Sequence, residues 1–151
     1  MADGSERRID EVEVGDWVLG SSGQPNLVLY VERPALGERL LYAFNEDDDY
    51  FVTAEHPFLT TRGWKSIDPR VTALEGPMID VTHLVPGDRI FAARPRPRAG
   101  TCANVLEATK LEEITLARLR GRPDDPSMTV FNLKLDGDHT YFANGFVVHN
   151  R

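Results

Sequence analysis

Four histidines, His56, His83, His139 and His149, are the side chains of this sequence best suited to move protons near neutral pH. His149 is followed directly by Asn150. An asparagine amide can attack its own backbone carbonyl, close a succinimide ring and expel the residue that follows. One imidazole can stabilise the developing oxyanion, and a second can protonate the leaving amine. His139, His149 and Asn150 therefore predict peptide cleavage by asparagine cyclisation.

Other chemistries have little support in the sequence. A zinc site would need ligand spacing such as Cys-x-x-Cys or His-Glu-x-x-His, and neither is present. The acidic stretches NEDDDY and LDGDH lack the spacing of an EF-hand and are interpreted as turns. There is no Gly-x-Ser-x-Gly elbow, and Cys102 is interpreted as a small half-buried residue. We therefore predict no metal and no cofactor.

Composition places the chain among ordinary globular proteins, with 151 residues, 41% hydrophobic and 27% charged. The formal net charge of -7 disfavours binding to nucleic acids or to acidic membranes. A single cysteine cannot form an internal disulfide, and no apolar run is long enough to span a bilayer. These features predict a cytoplasmic monomer without membrane or nucleic-acid partners.

Short apolar segments alternate with Gly, Pro, Asn and Asp along most of the chain, which is typical of an all-β domain. The predicted strands cover residues 17–20, 27–32, 40–44, 50–54, 58–60, 89–92, 129–135, 140–143 and 146–148. Asn144-Gly145 predicts a two-residue primed turn between the last two strands. Pairing of these strands would bring His139 towards His149.

One stretch leaves its secondary structure open. In KLEEITLARLRGRP the apolar residues Leu111, Ile114 and Leu119 lie near helical spacing, and Gly121 and Pro123 are possible stop signals. Helix and strand fit residues 108–122 equally well on these grounds.

An internal repeat predicts two related halves within a single domain, residues 1–150. IDEVEVGDWVLG near the start is echoed by VTHLVPGDRIFA, so that Gly15-Asp16 and Gly87-Asp88 each lead from an apolar residue into a strand. Coincidence is the alternative, since Gly-Asp turns are common. Between the halves, the alternating prolines of residues 93–101 predict a loop or semi-rigid connector.

In order along the chain, MADGSERRIDEVEVGDWVLG, VTAEHPFLTTRGW and TVFNLKLDGDHTYFANGFVVHN resemble motifs of the Hint (hedgehog/intein) family. The resemblance covers nearly the whole chain. It implies an all-β horseshoe fold with two pseudo-symmetric subdomains, and it favours strand for residues 108–122. The short connector 93–101 stands where larger inteins carry an endonuclease.

The resemblance also implies single-turnover autoprocessing, by splicing or by C-terminal cleavage, with Asn150, His149, His139, His56 and Thr53 as the catalytic residues. Thr53 and His56 match the Thr-x-x-His of the second motif. The substrate would be the flanking host-protein segments in cis, so the domain would not be a turnover enzyme.

Three departures from the family pattern bear on this activity. The chain opens at Met1 inside the first motif, and a thioether cannot replace the Cys or Ser nucleophile. Arg151 cannot accept an ester, and Asn132 stands where many inteins have Asp. We therefore keep three hypotheses: an autoprocessing domain without its first step, a degenerate scaffold acting as a folded linker or binding module, and a fragment whose true start lies upstream.

The motifs make chemical sense only if they converge in space. We expect the two ends of the chain to lie near each other, with His56, His139 and His149 facing one cleft. We expect His83 to lie elsewhere with a structural role. Residues 1–7 should pair poorly, because the strand that would cover that edge is missing.

Overall fold

A computed structural model describes residues 7–47, 49–74, 79–94, 101–102 and 110–149. This part of the chain consists mostly of short strands. In chain order they are β1 (Arg7–Arg8), β2 (Trp17–Leu19), β3 (Pro25–Glu32), β4 (Leu41–Phe44), β5 (Phe58–Thr60), β6 (Gly63–Ser66), β7 (Thr82–His83), β8 (Arg89–Arg94), β9 (Thr101–Cys102), β10 (Lys110–Thr115), β11 (Leu119–Arg122), β12 (Asn132–Leu135), β13 (Thr140–Ala143) and β14 (Phe146–His149). A six-residue helix, α1 (Pro69–Leu74), and a 3-10 turn, Ile9–Glu11, complete the described elements.

The strands form one large sheet and two small ones. The large sheet has the order β1-β9-β13-β14-β8-β5-β6-β7, with β10 paired to β8 and β14 also paired to β5. The small sheets are β12-β3-β2 and β11-β4. All the pairs are antiparallel except β6 with β7. The last strand, β14, therefore lies inside the large sheet and not at its edge.

Of the helices in the described residues, none is long and apolar enough to cross a membrane.

An aromatic cluster forms the centre of the core. Phe44 contacts the rings of Phe58, Phe146 and Phe51 at centroid distances of 5.0, 5.2 and 5.3 Å, all in edge-to-face geometry. Phe44, Phe58 and Phe146 are at most 2% exposed. Edge-to-face pairs add a favourable electrostatic contribution to the burial of apolar area. The core therefore joins β4 of a small sheet to β5 and β14 of the large sheet.

The two Gly-Asp turns predicted as a repeat are structurally equivalent. Each glycine has a positive φ, 94° at Gly15 and 103° at Gly87, a conformation that favours glycine. In each turn the aspartate Oδ2 accepts a hydrogen bond from the backbone N–H three residues earlier, at 2.8 Å for Asp16 and 2.9 Å for Asp88. The glycine N–H in turn donates to a backbone carbonyl of the neighbouring segment, that of Val28 in β3 at 2.9 Å and that of Leu116, just after β10, at 2.7 Å. The same turn thus launches β2 in one half and β8 in the other.

One predicted strand, residues 50–54, is absent, and another, residues 129–135, is shorter than expected. Residues 50–54 form only one bridge, between Val52 and Tyr42, because the chain turns at residues 54–55 to enter β5. Residues 129–131 form only the bridge from Thr129 to Ala35 before β12 begins. Pro34, which faces this segment, lacks the N–H that a continued ladder would need.

The segments around the connector also differ from expectation. Residues 110–115 and 119–122 are both strands, which settles the open choice in this region. The predicted connector 93–101 was too long, because β8 continues to Arg94 in pairing with β10 and Thr101 belongs to β9. Residues 95–100 lie outside the described part. Residues 1–6 also lie outside it, but Arg7 pairs with Cys102, so the prediction of poor pairing was wrong for Arg7.

Candidate functional site

A cleft of about 540 Å³ is lined by residues from all three of the sequence motifs. It is lined by Arg8, Ile9, Asp10, Leu41, Asp49, Tyr50, Phe51, Val52, Thr53, His56, Met128, Thr129, Val130, Phe131, Tyr141, Ala143, Asn144 and Val148. Arg8 of β1 and Val148 of β14 both contribute to this lining, so the first and last described strands border the same cleft. The chain ends themselves, whose proximity was predicted, lie outside the described residues. Of the predicted site residues within the described ranges, Thr53 and His56 line the cleft.

Thr53 is held by a buried carboxylate that the sequence motif did not single out. The Thr53 hydroxyl donates a hydrogen bond of 2.7 Å to Oε1 of Glu55, and each residue is only 2% exposed. Arg39 Nη1 donates to the same oxygen at 2.7 Å. The only sequence signal for Glu55 was its place inside the Thr-x-x-His spacing, and nothing in the sequence pointed to Arg39.

His56 lies half-buried beside this group. Burial lowers the pKa of His56; the negative charge of Glu55 opposes this effect and the positive charge of Arg39 adds to it. Since the ordinary pKa of histidine is about 6.5, the imidazole is neutral at pH 7. His56 can therefore accept a proton from a group bound in the cleft.

His139 and His149 contact each other at the end of the last hairpin. Their ring centroids lie 6.0 Å apart, and Thr140, next to His139, pairs with His149 across β13 and β14. His139 Nδ1 lies 2.8 Å from the Leu135 carbonyl oxygen. Because a carbonyl only accepts, Nδ1 must carry the proton, and Nε2 is the nitrogen of neutral His139 that can accept one. The hairpin thus brings the two imidazoles together as predicted.

A polar network fixes the turn that carries His139. His139 itself has a positive φ of 62°, which is uncommon for a residue other than glycine. Asp138 Oδ1 accepts hydrogen bonds from Asn26 Nδ2 at 2.6 Å and from the Thr140 hydroxyl at 2.7 Å. Burial alone would raise the pKa of Asp138, but these hydrogen bonds outweigh it and lower the pKa. The ionised carboxylate therefore ties β3 to the start of β13.

Trp64 is a further neighbour of His149 that the sequence did not single out. Its ring meets the imidazole edge-to-face with centroids 5.1 Å apart. Trp64 lies in β6, and its Gly-Trp dipeptide ends the second motif. The indole restricts the orientation of His149 from the side of β6.

The prediction that all three histidines face one cleft was wrong for the described residues. His56 lines the cleft, but His139 and His149 are not part of its lining. The reason is the pleat of β14, in which successive side chains point to opposite faces. Val148 takes the position that faces the cleft, and His149 contacts His139 and Trp64 instead. The backbones remain adjacent, since the His149 N–H donates to the Pro57 carbonyl at 3.1 Å.

The other predicted residues lie in several places. Asn150 lies outside the described residues, and so does the side chain of Cys102. His83 lies exposed in β7, outside the cleft lining, as expected. Asn132 is 5% exposed, and its Oδ1 has no hydrogen-bond partner within the described part of the chain. Among the described residues, no group of three or more His, Cys, Asp or Glu side chains is placed to hold a metal ion.

No protein-family model matches the sequence. The chain is 29% identical over 132 residues to an iron-sulfur cluster assembly SufBD family protein of Mycobacterium tuberculosis, and the same match occurs in Mycobacterium bovis. The match covers 77% of this chain but only 16% of the relative, so it concerns a short part of a much longer protein.

Solved structures give a closer description of the architecture. A triple mutant of the gp41-1 intein superimposes with a TM-score of 0.57 and 17% identity over 95% of this chain and 87% of the intein. The G-1F mutant of the Ssp DnaB mini-intein variant M86 gives a TM-score of 0.55 and 19% identity over 89% of this chain and 79% of the intein. These superpositions extend over most of this chain and most of each intein. The chain therefore has the intein-like Hint fold.

Proposed function

We propose that this domain is an intein-type autoprocessing domain that breaks the peptide bond after Asn150. The observation that carries the proposal is the contact between His139 and His149, whose ring centroids lie 6.0 Å apart. His149 directly precedes Asn150 in the sequence. The intein-like fold supports the same class of reaction. The substrate is then the protein segment joined to the domain in cis, and each domain acts once.

The reaction balances without a cofactor. Asn150 Nδ2 attacks the Asn150 carbonyl carbon, a C–N bond closes the succinimide, and the peptide bond to the following residue breaks. The side-chain nitrogen gives up one proton and the leaving amine gains one. In this proposal His149 stabilises the oxyanion, and His139 carries the proton through Nε2.

Thr53 and His56 belong to a separate step in this proposal. In inteins the Thr-x-x-His pair assists an attack by a Cys or Ser at the N-terminal junction. The matching nucleophile is not in the given sequence, and His56 lines the cleft whereas His139 and His149 do not. Cleavage after Asn150 thus depends on His139 and His149, and Thr53 and His56 act only when a nucleophile is joined ahead of the first motif.

A reporter protein fused directly after Asn150 tests the proposal. We expect slow release over days, with a succinimide or its hydrolysis product on Asn150 detected by mass spectrometry. Asn150→Ala should abolish release, and His149→Ala or His139→Ala should slow it. His83→Ala is the matched control, because His83 lies exposed in β7, and it should leave the rate unchanged.

Equal, negligible release from the parent and from Asn150→Ala would overturn the proposal. That result would favour the alternative reading of the domain as a degenerate scaffold that serves as a folded linker or binding module. Release that persists in His139→Ala and His149→Ala at the parent rate would instead refute the roles given to the two imidazoles.

A further inference from the structure

Glu55 is a buried carboxylate that the proposed chemistry does not use. It lies between Thr53 and His56 in sequence and is 2% exposed. Its backbone is fixed as well, because the Thr72 hydroxyl donates to the Glu55 carbonyl oxygen at 2.7 Å. A buried charge is costly unless it is paired and hydrogen-bonded. The position of Glu55 inside the motif suggests that its charge serves the site.

Arg39 holds the Glu55 carboxylate in one orientation. Besides the 2.7 Å contact to Glu55, its Nε donates to the Leu36 carbonyl at 2.9 Å and its Nη2 to the Ala35 carbonyl at 2.8 Å. The loop that carries Arg39, residues 33–40, is itself bonded to the segment before β12, since the Leu36 N–H donates to the Met128 carbonyl at 2.7 Å. A guanidinium fixed by several hydrogen bonds gives Glu55 little freedom to turn.

The fixed carboxylate determines what Thr53 can offer to the cleft. A hydroxyl has one proton, and an ionised carboxylate only accepts hydrogen bonds. Since the Thr53 proton is directed to Glu55 at 2.7 Å, only the lone pairs of Thr53 Oγ1 remain for a ligand. Thr53 can thus accept a hydrogen bond in the cleft but has no proton left to stabilise an oxyanion.

We infer that Glu55, held by Arg39, is a positioning residue that makes Thr53 a hydrogen-bond acceptor for a peptide N–H of the processed segment. This inference rests on the proposed function for its ligand. The charge of Glu55 also acts on His56, because it opposes the effect of Arg39 on that imidazole. Loss of the Glu55 charge should therefore change the titration of His56 as well as the hydrogen bonding of Thr53.

The hydroxyl proton of Thr53 provides the first test, by NMR of the whole chain. We expect it to exchange slowly with water, whereas the hydroxyl of exposed Thr82 in β7 should exchange too fast to observe. Fast exchange of the Thr53 hydroxyl would overturn the inference, because the proton would not be committed to Glu55.

Glu55→Gln provides the second test, through the NMR titration of His56. Removing the Glu55 charge leaves the effect of Arg39 unopposed, so the His56 midpoint should move to lower pH. Simple loosening of the cleft would hydrate His56 and move the midpoint the other way. Glu113→Gln is the matched control at an exposed position in β10 and should leave the midpoint unchanged. An unchanged or raised midpoint in Glu55→Gln would refute the role of Glu55.

A processing assay then links the inference to function. The chain is extended at its start by a Cys-containing segment, and thiol-dependent cleavage is followed against pH. Glu55→Gln should shift this profile to lower pH by the same amount as the His56 midpoint, and a profile that does not shift would refute the role of Glu55 in processing. If the extended parent gives no cleavage, the N-terminal part of the proposed function fails, while the two NMR tests still decide the role of Glu55.

Discussion

Replacing Asp138 with Ala should weaken both the fold and the reaction, because this carboxylate anchors the turn that carries His139. Asp138 Oδ1 accepts three hydrogen bonds, from Asn26 Nδ2 at 2.6 Å, the Thr140 hydroxyl at 2.7 Å and the Thr140 N–H at 3.1 Å. Asn26 and Thr140 are each 2% exposed. The substitution therefore removes acceptors from buried donors.

The magnitude follows from these bonds and from the exposure of Asp138. Hydrogen bonds to a charged group contribute about 1.5–3 kcal/mol each when buried. Asp138 itself is exposed, and two of the donors keep other acceptors. Asn26 Nδ2 still donates to the Thr140 carbonyl, and the Thr140 hydroxyl can still donate to the Ser21 hydroxyl. Allowing for solvent screening and for these remaining partners, we expect a loss of about 2 kcal/mol in the free energy of unfolding.

The loss should depend on pH in a defined direction. Because the folded-state pKa of Asp138 is lowered, its contribution is fully present above the unfolded value of about 3.9. It should shrink as the pH falls through the folded-state pKa. Urea unfolding of the parent and Asp138→Ala at several pH values measures this difference.

The control is Asp125→Ala, since Asp125 also accepts local hydrogen bonds from Ser127 but lies on an exposed turn away from His139. It should leave stability and reporter release unchanged, whereas Asp138→Ala should slow release of a protein fused after Asn150. A loss in Asp138→Ala no larger than in Asp125→Ala at neutral pH would refute the reasoning.

Three further substitutions test other parts of the structure. Phe44→Ala should cost about 3–5 kcal/mol in urea unfolding, whereas Leu74→Ala, at a residue 86% exposed, should cost almost nothing; similar losses would contradict the aromatic core. Lys65→Met should lower the free energy of unfolding by about 2 kcal/mol. The reason is that it leaves the Asp88 carboxylate, which is 10% exposed and lies 2.8 Å from Lys65 Nζ, without its cation. An unchanged urea midpoint would show that the ion pair is dispensable. Asp49→Ala should speed deamidation of Asn144, because the Asn144 amide donates a hydrogen bond of 2.5 Å to Asp49 Oδ2. Peptide mapping by mass spectrometry measures the deamidated fraction. An unchanged fraction would show that the contact does not restrain the amide.

Local sequence patterns determined much of the fold. Short apolar runs between turn residues predicted the all-β class, and seven of the strands begin and end close to the predicted positions because alternation and turn chemistry are local properties. The repeated Gly-Asp predicted two equivalent turns, which have the same positive φ and the same aspartate hydrogen bond. The Asn144-Gly145 turn likewise fixed the register that brings His139 to His149.

The tertiary structure decided which side chains share a surface. Thr-x-x-His spacing marked Thr53 and His56, but the cation that pairs with buried Glu55 between them is Arg39. It comes from a loop 16 residues earlier in the chain, a separation that no local pattern encodes. The position of β14 between β13 and β8 turned Val148 towards the cleft and His149 away from it. The sequence by itself determined which chemistry the residues can perform, because that depends on side-chain type. Only the packing of distant strands decided which residues could perform it together.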